Sequence, residues 1–253
     1  MSVPFFYLPP EQWNEYVTLD GQEARHLAQS LRMMPGAHVG LLDGQGRWGQ
    51  FAILSVAKKT VRLVRLCESL LPPPKSQAIV ALAASKVARR GFFMEKAAEL
   101  GAHALWLWQG DRSQAKLSPG LGEACQGQLI AGAKQCANPW LPTVRILTQG
   151  VDGLVSLATT ADRRFVLREL QDGVALLTAE LAGQEGKTVY VIGPEGGFSE
   201  RELVALERAD FAAVSLGGRI LRCETAATLC LGLHWWAAQQ ADKPDAARGT
   251  KCL

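Results

Sequence analysis

Two stretches near the C-terminus carry the residue types that chemistry needs. They are Val191-Ile-Gly-Pro-Glu-Gly-Gly-Phe-Ser-Glu-Arg-Glu202 and Leu216-Gly-Gly-Arg-Ile-Leu-Arg-Cys-Glu-Thr-Ala-Ala227. Each reads as the end of a short apolar strand, a glycine turn and the start of a helix. Glycines at such a turn let the backbone approach a ligand closely and expose amide N–H groups. The second turn adds two guanidinium groups, Arg219 and Arg222, and a carboxylate, Glu224. A fixed guanidinium stabilises a developing oxyanion. Glu224 has a plainer reading as well: a negative charge suits the first turn of a helix, where it can pair with Arg222. Ser199 and Glu202 have the spacing of a capping box, which accounts for those two residues but not for the Pro-Glu-Gly-Gly before them. Two strand–turn–helix units in succession put both turns at the carboxyl edge of a parallel sheet, where α/β proteins bind ligands.

Other motifs weigh less. Gly44-Gln-Gly-Arg-Trp-Gly49 matches Gly-x-Gly-x-x-Gly, but a strand-like run, Gln50–Val56, follows it instead of a helix, so it reads as a hairpin turn. The cysteines at 67, 125, 136, 223, 230 and 252 have no metal-ligand spacing with one another or with His26, His38, His103 and His234. No metal site is expected, and cysteines scattered this way point to reduced thiols in a cytoplasmic protein. The net charge of +3 does not announce a nucleic-acid partner, but the distribution of charge is uneven. Between Asp43 and Glu68 there is no acidic residue, while Arg47, Lys58, Lys59, Arg62 and Arg65 are interleaved with Trp48 and Phe51. Cations with aromatics in a small β domain suit RNA; the bland alternative is a solvated strand face.

The elements that must position these residues alternate in a simple way. Val39–Leu42, Gln50–Val56 and Thr60–Leu66 read as strands, and Glu23–Arg32 as a small helix. Pro72-Pro-Pro-Lys75 is a stiff break. After it, strands at Ala78–Ala84, Ala104–Trp108, Thr143–Leu147, Arg164–Leu167, Thr188–Ile192 and Ala213–Leu216 are interleaved with helices. The helices are Arg89–Leu100, Leu121–Gln135, Ser199–Ala209 and Glu224–Gln239. That alternation predicts a mostly parallel α/β sheet. Thr225–Ala241 is uncharged but holds His, Gln and Thr, so it reads as a buried helix and not as a membrane span. Residues 242–253 are polar and read as a disordered tail.

The two C-terminal stretches resemble those of ribosomal RNA small subunit methyltransferase E, a family of the trefoil-knot (SPOUT) methyltransferases. Its Gly-Pro-Glu-Gly-Gly-x-Ser and Leu-Gly-x-Arg-Ile-Leu-Arg-x-Glu-Thr-Ala loops are intact at Gly193–Ser199 and Leu216–Ala226. Further matches are Arg25-His26, Leu31-Arg32, Pro35-Gly36, Lys86, Glu95-Lys96-Ala97, Glu99-Leu100-Gly101 and Ala133-Lys134-Gln135-Cys136. Asp111-Arg112-Ser113 replaces a usual Glu-Arg-Ser, and Ala131 and Asn138 stand where many members have Glu and Arg.

The resemblance implies a PUA-like RNA-binding β-barrel over residues 1–72 and a SPOUT domain over 73–241, whose last helix threads a loop. It implies an S-adenosylmethionine-dependent enzyme, a homodimer, that methylates uridine N3 in 16S ribosomal RNA of the small subunit. The cofactor pocket would be built from Leu167, Ile192, Gly193, Pro194, Glu195, Gly196, Gly197, Leu216, Gly217, Ile220 and Leu221. Arg222 would stabilise the uracil anion and Glu224 would position it. RNA would meet Arg25, His26, Arg32, Arg47, Lys58, Lys59 and Arg112, with Lys86 and Arg89 continuing the groove. Two alternatives stay open: another RNA methyltransferase of the same fold, acting on a ribose 2′-hydroxyl or another base, and a non-catalytic RNA-binding protein.

Overall fold

The structure, a computed structural model, describes residues 3–84, 87–118, 120–171 and 173–241, and for residues 87–90 the backbone alone. The expected tail over 242–253, Lys86 and the side chain of Arg89 lie outside the described residues. The described chain forms two compact units. One holds the residues up to Pro73 together with Ala133–Leu141; the other holds Pro74–Gly132 and the residues from Pro142 on.

The first unit is built on five strands and a short helix. They are β1 (Phe5–Tyr7), β2 (Tyr16–Leu19), α1 (Gly21–Arg25), β3 (His38–Leu42), β4 (Arg47–Val56) and β5 (Val61–Leu70). A π-helical turn, His26–Ser30, extends α1, so the helix expected over Glu23–Arg32 begins earlier and unwinds sooner. The strand order is β1-β3-β4-β5-β2, antiparallel except for β1–β3. Register shifts at Gln50/Phe51 and Ile53/Ser55 interrupt the β4–β5 ladder. Bulges of this kind increase local twist and curl the sheet into a half-barrel. Alternation sends Phe51, Ile53, Val61 and Leu63 into a core shared with Phe6, Leu27, Val39 and Leu41. The Gly44–Gly49 segment holds the β3–β4 hairpin turn and the first residues of β4, with no helix after it, as its sequence context predicts. The buried carboxylate of Asp43 accepts the amides of Gln45 and Arg47 at 2.7 and 2.9 Å and shapes it.

The second unit is a seven-stranded parallel sheet. Its strands are β6 (Ser76–Ala83), β7 (Ala104–Trp108), β8 (Thr143–Leu147), β9 (Arg163–Leu167), β10 (Ala175–Leu176), β11 (Gly186–Ile192) and β12 (Ala212–Ser215). Its helices are α2 (Val87–Glu99), α3 (Leu121–Cys136), α4 (Gly150–Ala158), α5 (Ala179–Ala182), α6 (Glu200–Arg208) and α7 (Cys223–Ala241). The order is β10-β12-β9-β11-β6-β7-β8, every pair parallel. β6 and β11 are central and read as continuous apolar runs because both their faces are covered. On one face, Leu154 of α4, Leu206 of α6 and Phe211 before β12 pack against Ile79, Val189 and Val191. On the other, α7 lies against β6, β11, α2 and α5. The uncharged Thr225–Ala241 run is therefore a packed helix, and no helix among the described residues is long and apolar enough to cross a membrane.

The order of the strands is unusual. After β9 the chain passes to β10, on the far side of β12, and returns by α5 to β11. α5 rests on α7. That strand order, with α5 against α7, is the arrangement of a trefoil-knot domain, a rare exception among folds. The fit is close: a Cβ added at Gly183 would lie 2.3 Å from Ala237 Cβ on α7, so glycine is required where the end of α5 meets α7.

His234 pins α7. Its ring is buried, with Nδ1 3.1 Å from the Tyr190 hydroxyl and Nε2 2.9 Å from Ser76 Oγ. Ser76 donates its own proton to Gln184 O at 2.7 Å, so His234 must donate from Nε2 and accept from Tyr190 at Nδ1. That is a neutral imidazole with both nitrogens satisfied. Burial, with a smaller push from Arg163, holds its pKa down to about 4 from an ordinary 6.5, against a hydrogen bond at Ser76 that acts the other way. Between those values the unfolded chain binds the extra proton and the folded chain does not. This contribution to stability is complete above pH 6.5 and is lost as pH falls toward 4. It amounts to about 3 kcal/mol. His103, lowered by burial and Lys187, works in the same direction. Urea midpoints are expected to drop across that window in the parent chain, and His234→Gln should remove most of the drop. An unchanged drop in that variant would mean that other groups titrate.

Candidate active site

The two glycine turns meet. β11 ends at Ile192 and β12 at Ser215, on the same carboxyl edge of the sheet, and both turns line one cavity of about 490 Å³. Pockets of ~300–1,000 Å³ are the size that buries a small ligand. The β11–α6 turn contributes Ile192, Gly193, Pro194, Glu195, Gly197 and Phe198. The β12–α7 turn contributes Leu216, Gly217, Arg219, Ile220, Leu221 and Arg222. Leu167, at the end of β9, closes a third side. Gly197 and Gly217 have φ of +71° and +114°, conformations that L side chains rarely adopt.

Two residues of the expected set stand elsewhere. Gly196 does not line the cavity; its Cα faces the β7–α3 loop, where an added Cβ would meet Arg112 Cβ at 3.0 Å and Arg112 O at 3.1 Å. The expected effect of a side chain at position 196 is thus to push the turn off its support, not to fill the cavity. Glu224 also lies off the lining, in the first turn of α7, with Oε2 3.7 Å from Cys223 Sγ. Arg222 does line the cavity, and its guanidinium takes no ion pair among the described residues. Ile220, expected as a wall, lines the cavity yet is 84% exposed, so it forms an open rim.

Sequence reasoning missed several lining residues. Arg168, Glu169 and Gln171 come from the segment after β9, which carries no glycine signature; only the sheet order brings it beside β12. Leu203 and Ala226 belong to helix faces, and Phe198 is held in place by stacking on buried Trp108, with centroids 6.1 Å apart. Cys223 also lines the cavity. Burial, then Glu195, then Glu224 push its thiol up to about 11, so it is protonated at neutral pH and is no nucleophile there. Both carboxylates therefore lie near this thiol. The lining combines apolar walls, two backbone turns, carboxylates at 169 and 195 and guanidiniums at 168, 219 and 222. It suits a ligand with an aromatic part and a cationic part.

The residues expected at RNA are distributed as follows. Lys58 and Lys59 occupy the β4–β5 turn and Arg62 follows on β5; all three are exposed and make no ion pair among the described residues. Arg47 is partly engaged, since its guanidinium lies over the Trp13 ring at 5.5 Å and 3.9 Å from Asp43. Arg65, in the same basic stretch, pairs with Glu68 at 3.0 Å. The two acids that bound the acid-free stretch thus sit against two of its cations. Arg25 bonds the carbonyl of Gly21 and remains exposed, and His26 packs beside Phe6. Arg32 has a φ of +50°, rare for a non-glycine residue, and is exposed. Arg112 donates to Gly196 O at 3.3 Å, in the second unit. Cys125, Cys136, Cys223 and Cys230 are thiols.

Comparisons with known proteins agree with this geometry. The RNA methyltransferase domain family matches residues 72–235, and the RNA methyltransferase PUA domain family matches residues 19–64. Ribosomal RNA small subunit methyltransferase E of Mycobacterium bovis is 31% identical over 229 residues, covering 85% of this chain and 84% of that protein. The enzyme of the same name from Synechocystis is 32% identical, covering 88% of this chain and 74% of its own length. Among solved structures, a Legionella pneumophila protein described as a methyltransferase in complex with the bound cofactor SAM superposes with a TM-score of 0.82 at 26% identity. It covers 95% of this chain and 98% of its own. A curled sheet matched by the PUA family, a parallel sheet matched by the RNA methyltransferase family and relatives aligned over most of both lengths all point one way: this chain belongs to the ribosomal RNA small subunit methyltransferase E family.

Proposed function

We propose that this chain methylates N3 of a uridine in 16S ribosomal RNA of the small subunit, with S-adenosylmethionine as methyl donor. The observation that carries the reading is the cavity itself, lined by two glycine turns, an apolar wall and Arg222. When bound, S-adenosylmethionine supplies a methyl group on a sulfonium. Leu167, Ile192, Leu216 and Leu221 provide apolar surface for its adenine, and the Gly193–Gly197 and Leu216–Leu221 turns provide main-chain donors and acceptors. Glu169 and Glu195 offer carboxylates to its cationic groups.

The residues of this chain also have to prepare the acceptor. A uracil N3 carries a proton and is a poor nucleophile until that proton leaves. The charge left behind spreads onto O2 and O4, where the planar guanidinium of Arg222 stabilises it. Glu224, next to Cys223 and two residues from Arg222, orients the turn that carries the guanidinium. Lys58, Lys59 and Arg62 hold RNA phosphates. Exposed Leu229, Trp235 and Trp236 on α7 supply an apolar face for a second copy of the chain.

Mass spectrometry of nucleosides from 16S ribosomal RNA, with and without the gene, tests the reaction. Loss of 3-methyluridine in the deletion strain, restored by the gene, is expected. Loss of a 2′-O-methylated nucleoside or another methylated base would move the chain to a different RNA methylation, and an unchanged nucleoside profile would remove the catalytic reading.

A further inference from the structure

The β11–α6 turn is braced from behind by a loop distant in sequence. Glu202 is 1% exposed, and its two carboxylate oxygens go to different places. Oε2 accepts the amide of Ser199 at 2.7 Å, the local half of the capping box. Oε1 accepts the amide of Asp111 at 2.7 Å, across 91 residues of chain. A helix cap accounts for the first bond and not for the second. The Ser199 hydroxyl repeats the pattern: it accepts the Glu202 amide at 3.2 Å and donates to Asp111 Oδ2 at 2.6 Å. Arg201 then reaches Asp111 Oδ1 and Asp152, tying the same loop to α4.

Backbone contacts lie beside these bonds. Arg112 Nη1 donates to Gly196 O at 3.3 Å, and the missing side chain of Gly196 is what lets the turn lie on Arg112. A Cβ at Gly110 would meet Pro194 at 3.3 Å, so the two loops also touch at the other end of the turn. Inside the turn, Gly197 N–H donates to Pro194 O at 2.8 Å. The side of the turn that faces away from the cavity is thus supported by residues 110–112 and by Glu202.

We propose that Arg112 and Glu202 are positioning residues for the cofactor turn, with Asp111 linking them. They hold the main chain of Pro194–Gly197 in its ligand-binding conformation without touching the ligand. This rests on the reading of the cavity as the S-adenosylmethionine site, and it assigns Arg112 to the cofactor turn in place of RNA. A preformed turn binds more tightly because less ordering is left to binding.

The test uses the full chain with Arg112→Ala, Arg112→Lys, Glu202→Gln and Gly196→Val. S-Adenosylmethionine affinity is measured calorimetrically without RNA, RNA affinity separately, and amide hydrogen exchange in the ligand-free chain. Arg112→Ala should weaken cofactor binding about 3- to 10-fold, the scale of one net hydrogen bond. Arg112→Lys should recover part of that, and RNA affinity should be unchanged. Glu202→Gln turns one acceptor into a donor facing a part-buried N–H and should cost about 10-fold. Gly196→Val should weaken cofactor binding in the same direction. The cofactor KM should rise more than kcat falls. In the free protein, Gly197 and Ser199 amides should exchange faster in the Arg112→Ala and Glu202→Gln variants, while β12 amides do not change.

Unchanged exchange and unchanged cofactor affinity in folded Arg112→Ala would overturn the proposal. So would a loss confined to RNA affinity, which would return Arg112 to the RNA surface. If the parent chain itself does not bind S-adenosylmethionine, the reading of the cavity fails, and the exchange data still decide whether residues 111–112 hold the turn.

Discussion

Arg222→Ala should slow single-turnover methyl transfer by about 100- to 1,000-fold, the usual cost of removing one preorganised donor from a developing anion. The reason is positional. Arg222 lines the cavity, and no carboxylate among the described residues pairs with it, so its charge is available to an incoming base. Among the described residues of the lining there is no histidine or lysine to take a proton. The carboxylates are Glu169 and Glu195, and the Cys223 thiol is held protonated by burial and by its acidic neighbours. On the proposed uridine-N3 reaction, loss of the N3 proton is favoured by stabilising the anion. Arg222→Lys should recover only part of the rate, because a point charge does not reproduce a planar fork. Raising pH should partly rescue the alanine variant by supplying more N3 anion, a response that a purely structural defect would not show. Cofactor affinity should change little. Normal single-turnover chemistry combined with poor RNA binding would move Arg222 from catalysis to substrate docking.

Reversing Lys58, Lys59 and Arg62 to glutamate should weaken RNA binding about 10- to 100-fold and flatten its salt dependence. Exposed ion pairs contribute up to about 1 kcal/mol each, and reversal replaces attraction by repulsion. Each phosphate left without its cation takes about 0.7–0.9 from the slope of log affinity against log salt, so the slope should fall by about 2 to 3. These three cations are the choice because their neighbours are already engaged. Arg65 is bound to Glu68, and Arg47 lies on Trp13 beside Asp43. Arg47→Ala with Arg65→Ala should therefore cost less than the triple reversal, by more than the difference in charge alone accounts for. Cofactor affinity should hold in both variants, since the cavity lining comes wholly from the second unit. An unmoved salt slope would make the basic stretch a solvated strand face.

Much of the architecture is local and could be read before any coordinates. β6, β7 and β11 coincide with apolar runs, because a strand covered on both faces has few polar positions to disguise it; β8, β9 and β12 were legible as shorter strand-like segments between helical stretches. α6 begins where Ser199 and Glu202 predict, since a capping box is a matter of four consecutive residues. The two glycine turns were legible for the same reason: a glycine pair before a capped helix constrains its own backbone. β1, β2 and β10 were not legible. Each is two to four residues long and is a strand only because a partner lies beside it.

What the tertiary structure alone decided is where side chains of the same local type point. Gly196 and Gly197 are neighbours in one motif, yet Gly197 lines the cavity and Gly196 lies against Arg112, a residue 84 positions away. Glu202 looks complete as a helix cap until its second oxygen is found on Asp111. His234 is an ordinary histidine in an uncharged run, and its partner Ser76 is 158 residues distant. The strand order that joins them rests on β10 lying outside β12, a pairing of two residues that no periodicity announces. Local sequence specifies backbone conformation through sterics and capping. Which polar group meets which depends on sheet order, and sheet order is set by packing across the whole unit.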